Sequence, residues 1–305
     1  MTRTRFGGLD VLLLCVIVAW ATNLSVVKVA VRDFPVHAFN ALRLIVAAGA
    51  FAVVLWRAQP VERRVARADW GRVVLLGLVG GTFYQMLFMS GVPRTSVANS
   101  GLIFGLSPVA ISILSSLVGH ERLSRVRWAG AALSVVGLYF VVGVGATLSV
   151  NSLVGDAYVF VAMLGWAVYS VASRPLLGRY SPTTLTAWTS IAAVPGYLVF
   201  AAPSLAATHW GAVSLRGWAL MFWSSIFCLV LAYVTWYTGV QRLGATRTSA
   251  YSNLIPIVAM AVAWAWLGEP VTAAQSVGAA AILAGVFLTR LSPVVLKPLS
   301  GSFDK

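Results

Sequence analysis

Two basic residues stand where charge is costly. Of the 22 Lys and Arg in this 305-residue chain, only Lys28 and Arg43 fall inside long apolar runs. An ionisable group among hydrocarbon side chains is a functional candidate, here for drawing in an anionic group on a cargo. A guanidinium grips a carboxylate through two parallel hydrogen bonds, which suits Arg43 to that task. Local roles compete with this reading. Lys28 could snorkel back to the interface on its long stem, and Arg43 could cap carbonyls of a neighbouring helix or pair with Asp33. The same apolar runs hold Trp20, Asn23, Tyr84, Gln85, Asn99, Trp166, Tyr169, Tyr233, Trp236, Tyr237 and Asn253. Such side chains would line a cavity for an uncharged or zwitterionic solute with an apolar part, such as a hydrophobic amino acid. Trp and Tyr also populate interfacial belts, and amides bridge helices. Trp20 and Trp166, however, sit mid-run, away from any belt.

The acids complete the chemical inventory. Asp10, Asp33, Glu62, Asp69, Glu121, Asp156, Glu269 and Asp304 are all expected at helix ends or in loops, as are His37, His120 and His209. A midmembrane proton relay needs a central carboxylate or histidine. The expectation is therefore uncoupled transport, or protons acting at a gate-level group such as Glu121 or Glu269. The same shortage disfavours organic cations as cargo, unless an aromatic cage stands in for a carboxylate. No cluster of His, Asp, Glu, Ser or Cys at one depth suggests catalysis, so no enzyme is expected. Cys15 and Cys228 both lie in apolar runs and suggest no disulfide or metal framework. No GxxxxGK[ST] loop is present to feed an ATP-driven pump. No cofactor and no metal are expected.

These groups need elements to hold them, and composition says which. The chain is 59% hydrophobic and 10% charged, with mean hydropathy +0.87. No soluble globular domain has that balance. The net charge of +14 is scattered in short clusters between apolar runs rather than gathered in a patch, which excludes a nucleic-acid partner. A helix needs roughly 20 mostly apolar residues to cross a bilayer. Ten stretches qualify: 10–31, 36–56, 70–91, 95–118, 127–146, 154–173, 183–202, 217–238, 247–267 and 272–290. With the N-terminus in the cytoplasm, 17 Lys and Arg fall inside and 3 (Arg32, Arg94 and Arg216) outside. The positive-inside rule then puts both termini in the cytoplasm, as an even number of spans requires.

The sequence also repeats itself. Residues 83–139 recur at 231–287 without a gap, matching Gly91 to Gly239, Pro108 to Pro256, Glu121 to Glu269, Gly130 to Gly278 and Gly137 to Gly285. Trp20 and Trp166 also take corresponding places. Five helices per copy is an odd number, so the copies enter the membrane with opposite polarity. The expected units are 1–148 and 149–290, followed by a cytoplasmic tail at 291–305. Pro108 and Pro256 would break helices 4 and 9 about halfway and act as hinges, with Glu121 and Glu269 as gates on opposite faces. Gly77, Gly80, Gly81, Gly278 and Gly285 would let helices approach closely. Residues 1–21, with Ala19-Trp-Ala21, look like a cleavable leader, but its loss would remove most of helix 1 and break the five-plus-five match.

The residues resemble the ten-helix EamA family of the drug/metabolite transporter superfamily. The resemblance rests on Trp20-Ala-Thr-Asn23, Lys28, Pro35 and Arg43; on Phe83-Tyr84 through Gly91, Thr95-Ser96, Pro108 and Glu121-Arg122-Leu123; and on Trp166, Tyr233, Gly239, Pro256 and Leu267-Gly-Glu269-Pro. It covers about residues 10–290. His120 departs from it, where the family has Gly before the Glu; Gly268 keeps the pattern. The resemblance implies a multi-pass secondary carrier in a bacterial cytoplasmic membrane that exports amino acids, other metabolites or toxic compounds by alternating access. Its partners would be a small solute and the lipid bilayer, and one chain would suffice. A multidrug efflux carrier is the alternative, with a membrane-embedded enzyme behind it.

Overall fold

The structure, a computed structural model, describes residues 7–118, 121–122, 124–140, 150–243, 248, 251–291 and 295–296. They form an all-helical membrane protein, apart from a two-residue antiparallel pairing of β1 (Glu121–Arg122) with β2 (Val295–Leu296). Seven segments are long and apolar enough to span a bilayer: α1 (Gly8–Ala30), α2 (Val36–Arg57), α3 (Pro60–Arg94), α4 (Val97–Leu117), α6 (Val150–Leu177), α7 (Pro182–Ala206) and α8 (Leu215–Arg242). Three shorter apolar helices, α5 (Arg125–Tyr139), α9 (Ser252–Leu267) and α10 (Ala273–Leu291), occupy the remaining apolar stretches. The expected boundary between 148 and 149 lies outside the described residues, as do the first six residues and most of the tail. Large apolar side chains such as Leu75, Val199, Trp264 and Phe287 point outward, as they must where the surrounding solvent is hydrocarbon.

Cross-helix bonds sort the helix ends into two groups. At one end Tyr251 donates to Asp10, and Asp69 accepts from Arg179 (3.1 Å) and Tyr180 (2.7 Å). Burial and the Asp69 carboxylate hold the Tyr180 phenol above its ordinary range, so it remains a donor at neutral pH. The β1–β2 pairing brings residues 121–122 and 295–296 together. At the other end Lys28 meets Glu269, Ser214 donates to Asp33, and Thr95 donates to Asp156. Successive helices therefore run alternately up and down.

The regular helices are interrupted in matched places. α3 and α8 contain π-helical turns at Leu78–Phe83 and Ser224–Leu231. α4 breaks after Phe104 and restarts at Ser107, and α9 begins its α-helical part at Ile255, each with proline in second position. Both pairs follow the spacing of the sequence repeat. Pro108 thus lies near the middle of α4, as expected. Pro256 instead follows a short 3-10 turn, Ser252–Leu254, near the start of the described α9.

α5 and α10 pack almost backbone to backbone. A Cβ on Gly137 would come within 2.8 Å of the Gly278 carbonyl and of the Ile282 nitrogen. A Cβ on Gly285 would strike the Gly130 carbonyl and come within 2.7 Å of the Ser134 nitrogen. Where no hydrophobic driving force separates helix–helix from helix–lipid contact, such closeness supplies the dispersion that holds the pair. Gly285→Leu is expected to push the two helices apart and destabilise the protein by about 1–3 kcal/mol or more. Thermal unfolding of the purified protein in detergent reads this directly, and an unchanged midpoint would mean that the helices can shift freely.

Candidate functional site

The interrupted helices surround one interior cavity of about 60 Å³. α1 contributes Trp20, Asn23 and Leu24, α2 Arg43, and α3 Tyr84, Gln85 and Phe88. Phe104 and Ser107 flank the break in α4. The far side is Trp166 of α6, Cys228, Leu229, Tyr233 and Trp236 of α8, and Ser252 and Ile255 of α9.

The π turn of α8 fixes α1 against it. The Trp20 indole N–H donates to the Cys228 carbonyl at 3.0 Å, and Ser224 donates to Asn23. Widened helical turns of this kind recur at functional sites because they redirect backbone groups sideways. Thus locked, Trp20 packs edge-on to Trp166 (5.6 Å between ring centres) and Tyr233 (6.0 Å) and lies 5.2 Å from Trp236. Tyr84 is 5.9 Å from Trp166 and stacks on Phe88. The result is an aromatic box built from four helices.

Arg43 is the charged member of this wall. It is 1% exposed. Its Nη1 donates to Asn40 Oδ1 at 2.8 Å, its guanidinium lies 5.5 Å from the Phe39 ring centre, and its Nε has no hydrogen-bond partner. Among the described residues, no carboxylate comes within ion-pairing distance of it. Asp33, its expected alternative partner, instead accepts from Ser214. A buried charge without a counter-charge carries a desolvation cost that Asn40 and the Phe39 ring offset only in part. The arrangement offers two or more N–H donors to an anionic group arriving in the cavity.

Of the residues expected to line a route, Trp20, Asn23, Arg43, Tyr84, Gln85, Trp166 and Tyr233 are brought together, with Trp236 beside them. The others lie elsewhere. Tyr169 backs Trp166 and shares a 3.0 Å bond with Thr189, and Tyr237 packs edge-on to Tyr169. Asn253 is half-buried beside Ser252 and does not line the cavity. Lys28 does not line the cavity: near the end of α1 its Nζ pairs with Glu269 Oε1 at 2.8 Å. Glu269 Oε2 also accepts from the Val97 amide at 2.9 Å, tying α1 and α4 to the loop after α9. Gly268, at φ 67°, supplies the left-handed turn that ends α9 just before this carboxylate. The corresponding side chain of Glu121, and His120 before it, lie outside the described residues.

Asp156 lies toward the outer end of α6, in its second turn, but is more deeply buried than an end position suggests: α6 starts at Val150 and the carboxylate is 3% exposed. Asp156 accepts from Thr95 and from Asn99 (3.1 Å), and the Asn99 carbonyl accepts from Gln275 at 2.9 Å. Asn99 is therefore part of a clasp joining α4, α6 and α10, not a cavity wall. The cue in the sequence was slight: an Asp one turn inside an apolar run looks the same as an interfacial one.

Cys228, Ser107 and Ser252 line the cavity without having been singled out. Ser107 and Ser252 could have been found from the repeat, since they are the equivalents of Ile255 and Phe104 beside the paired prolines. Among the described residues, no group of three His, Cys, Asp or Glu could hold a metal.

The model of the EamA-like transporter family matches residues 8–143 and again 153–291. The chain belongs to that family. It is 26% identical over 267 residues to the uncharacterized transporter YyaM of Bacillus subtilis, covering 86% of this chain and 87% of that one. It is 28% identical to a protein of Streptantibioticus cattleyicolor named "Probable terminal-alkyne amino-acid exporter", over 90% of this chain and 91% of that one. It is 23% identical to a "Probable amino-acid metabolite efflux pump" of Salmonella typhimurium, over 91% and 93% of the two chains. A crystal structure with 20% identity has the same fold, with a TM-score of 0.69 over 93% of this chain and 96% of the other. The EamA protein is thus a multi-pass membrane transporter.

The Lys28–Glu269 pair is partly exposed, so its ionic contribution to stability is expected to be small, about 1 kcal/mol or less. Glu269→Ala should cost more than Lys28→Ala because it also strips the Val97 amide of its acceptor. Exchanging the charges (Lys28→Glu with Glu269→Lys) should recover the ionic part only. A double-mutant thermal-stability cycle showing no coupling between positions 28 and 269 would remove this tie from the account.

Proposed function

We propose that this transporter exports small amphipathic carboxylates, amino acids above all, by alternating access between two inverted five-helix halves. The observation that carries the reading is Arg43: a buried guanidinium without a carboxylate partner, set in the wall of an aromatic box. The cargo carboxylate would take the bidentate position on Arg43, and an apolar side chain would replace water against Trp20, Trp166 and Tyr233. An ammonium group would be received by the ring faces and by the amide oxygens of Asn23 and Gln85. A membrane-embedded cavity lined by seven aromatic side chains and one cation selects against cargo bearing only positive charge.

The remaining features fit the same cycle. At about 60 Å³ the cavity is far below the roughly 300 Å³ of a drug-sized pocket, and polar ties close the bundle at both ends. That is the geometry of an occluded state. Release of the Lys28–Glu269 and Asp156–Asn99 ties would open one face, and release of the Asp69 and Asp10 ties the other. Lys28, Asn99 and Glu269 then act as outer-end clasps, Pro108 and Pro256 as the flexing points, and Tyr169, Tyr237 and Asn253 as supports behind the route. Basic residues gather at the Asp69 end, which orients that end and both termini toward the cytoplasm of a bacterial cell. Two similar proteins are named "Probable terminal-alkyne amino-acid exporter" and "Probable amino-acid metabolite efflux pump", which favours export.

Efflux from proteoliposomes loaded with phenylalanine, leucine, their amides and their decarboxylated amines tests the proposal. The free amino acids should leave at least about tenfold faster than the amines. Arg43→Gln should abolish that preference while leaving the amide rate within about twofold; a tenfold change corresponds to about 1.4 kcal/mol of discrimination. Equal losses for all three cargo classes would reassign Arg43 to scaffolding. Trp20→Ala and Trp166→Ala should each raise the half-saturating cargo concentration, and unchanged values in both would move the route elsewhere.

A further inference from the structure

A second cavity lies at the Asp69 end, on the lipid-facing side of the helix pack and apart from the transport route. Its volume is about 530 Å³. α2 provides Ala52 and Trp56, α7 provides Trp188 and Ile191, and the turn before the main part of α3 crosses its mouth with Arg63 and Arg64.

Several observations point to one kind of occupant. The walls are apolar and aromatic, and they descend into the bilayer: Ala52 lies about 8 Å below the end of α2 at about 1.5 Å per residue. The mouth is cationic and its charge is unspent. Among the described residues neither Arg63 nor Arg64 has an ion-pair partner, while the nearby carboxylate of Asp69 is taken by Arg179 and Arg72. The turn that carries the arginines is also pinned. The Arg63 carbonyl accepts from the Trp188 indole at 2.9 Å, and the Glu62 carbonyl from Thr184 at 2.8 Å. The backbone that carries the two arginines is thereby held at the mouth of an apolar slot, within reach of the level where headgroup meets hydrocarbon. A free phosphate would satisfy the arginines and leave the slot unfilled. A neutral lipid would fill the slot and leave the arginines without an anion.

We propose that this cavity is a binding site for an anionic phospholipid. Its phosphate sits between Arg63 and Arg64, and an acyl chain runs down past Trp188 and Ile191 to Ala52. Two adjacent cations recognise the anionic headgroup, and the aromatic walls make the site local rather than a diffuse polybasic attraction. The site needs no cargo and stands independently of the transport reading.

Native mass spectrometry of the full-length protein, released from detergent containing equal phosphatidylglycerol and phosphatidylcholine, tests it. At least one phosphatidylglycerol should be retained about tenfold more than phosphatidylcholine. Arg63→Gln with Arg64→Gln should abolish the preference, whereas Arg57→Gln with Arg67→Gln, outside the cavity wall, should leave most of it. Ala52→Trp, which fills the slot without touching charge, should lower retention of both lipids several-fold, and it decides the matter if the first pair does not fold. Equal effects from the two arginine pairs, no effect of Ala52→Trp, or displacement of the lipid by millimolar inorganic phosphate would each overturn the proposal.

Discussion

Hydrocarbon offers no hydrogen bonds, and this constraint governs the protein. Every polar group drawn into the bundle must find its partner within the bundle. Thr82 donates to the Ala193 carbonyl, Tyr169 bonds Thr189, Trp20 bonds the Cys228 carbonyl, and Asp156 gathers Thr95 and Asn99. Each of these bonds joins two different helices. Polar residues here are the means by which apolar helices choose neighbours and register. Against that background a buried group left without its partner is conspicuous, and Arg43 is the charged one.

Irregular backbone serves the same end. A regular α-helix commits its carbonyls to bonds along its own axis, and a widened turn redirects some of them sideways toward a neighbour. The π turn in α8 lies where Trp20 and Asn23 of α1 must be held, and the π turn in α3 lies where Thr82 crosses to α7. The breaks before Pro108 and Pro256 place Ser107, Ser252 and Ile255 at the cavity. Regularity is given up at these four places, which border the cavity or position its walls, and again in the π turn Ala263–Leu267 that ends α9; among the described residues it is kept in α5 and α10, which contribute nothing to the cavity. Those two helices instead meet through glycines, where only an uninterrupted surface allows such close approach.

Much of this was legible in the residue order. Apolar run length and punctuation located the helices. The repeat pointed to paired proline breaks, and the aromatic and amide residues within runs included most of the cavity wall. What escaped was lateral. Period and hydropathy say how deep a residue lies but not which neighbour it faces, so Tyr169 and Tyr237 looked like lining but pack behind Trp166, and Asn253 does not line the cavity. Lys28 looked like a snorkelling cation because its partner, Glu269, is distant in sequence and lies in a loop. The burial of Asp156 was missed because α6 starts four residues earlier than hydropathy indicated, since Asn151 and Ser152 offset the apolar Val150. The π turns have no compositional signature that separates them from ordinary helix.

The uncompensated charge also bears on how a carrier avoids leaking. On the reading of Arg43 as the carboxylate site, the empty cavity can close only by burying a lone guanidinium, at a desolvation cost of several kcal/mol. A bound carboxylate removes that cost. The differential interaction of cargo with the closed and open forms is then what shifts the population, as any ligand-driven conformational change requires. Loaded carrier passes through the occluded form more readily than empty carrier, so the charge that binds cargo would also couple closure to its presence. An uncharged site of equal affinity, built from aromatic rings alone, would give no such penalty to the empty state. On that reading the absence of a carboxylate near Arg43 among the described residues would be as much a part of the device as the arginine, since an internal counter-ion would stabilise the protein and uncouple it.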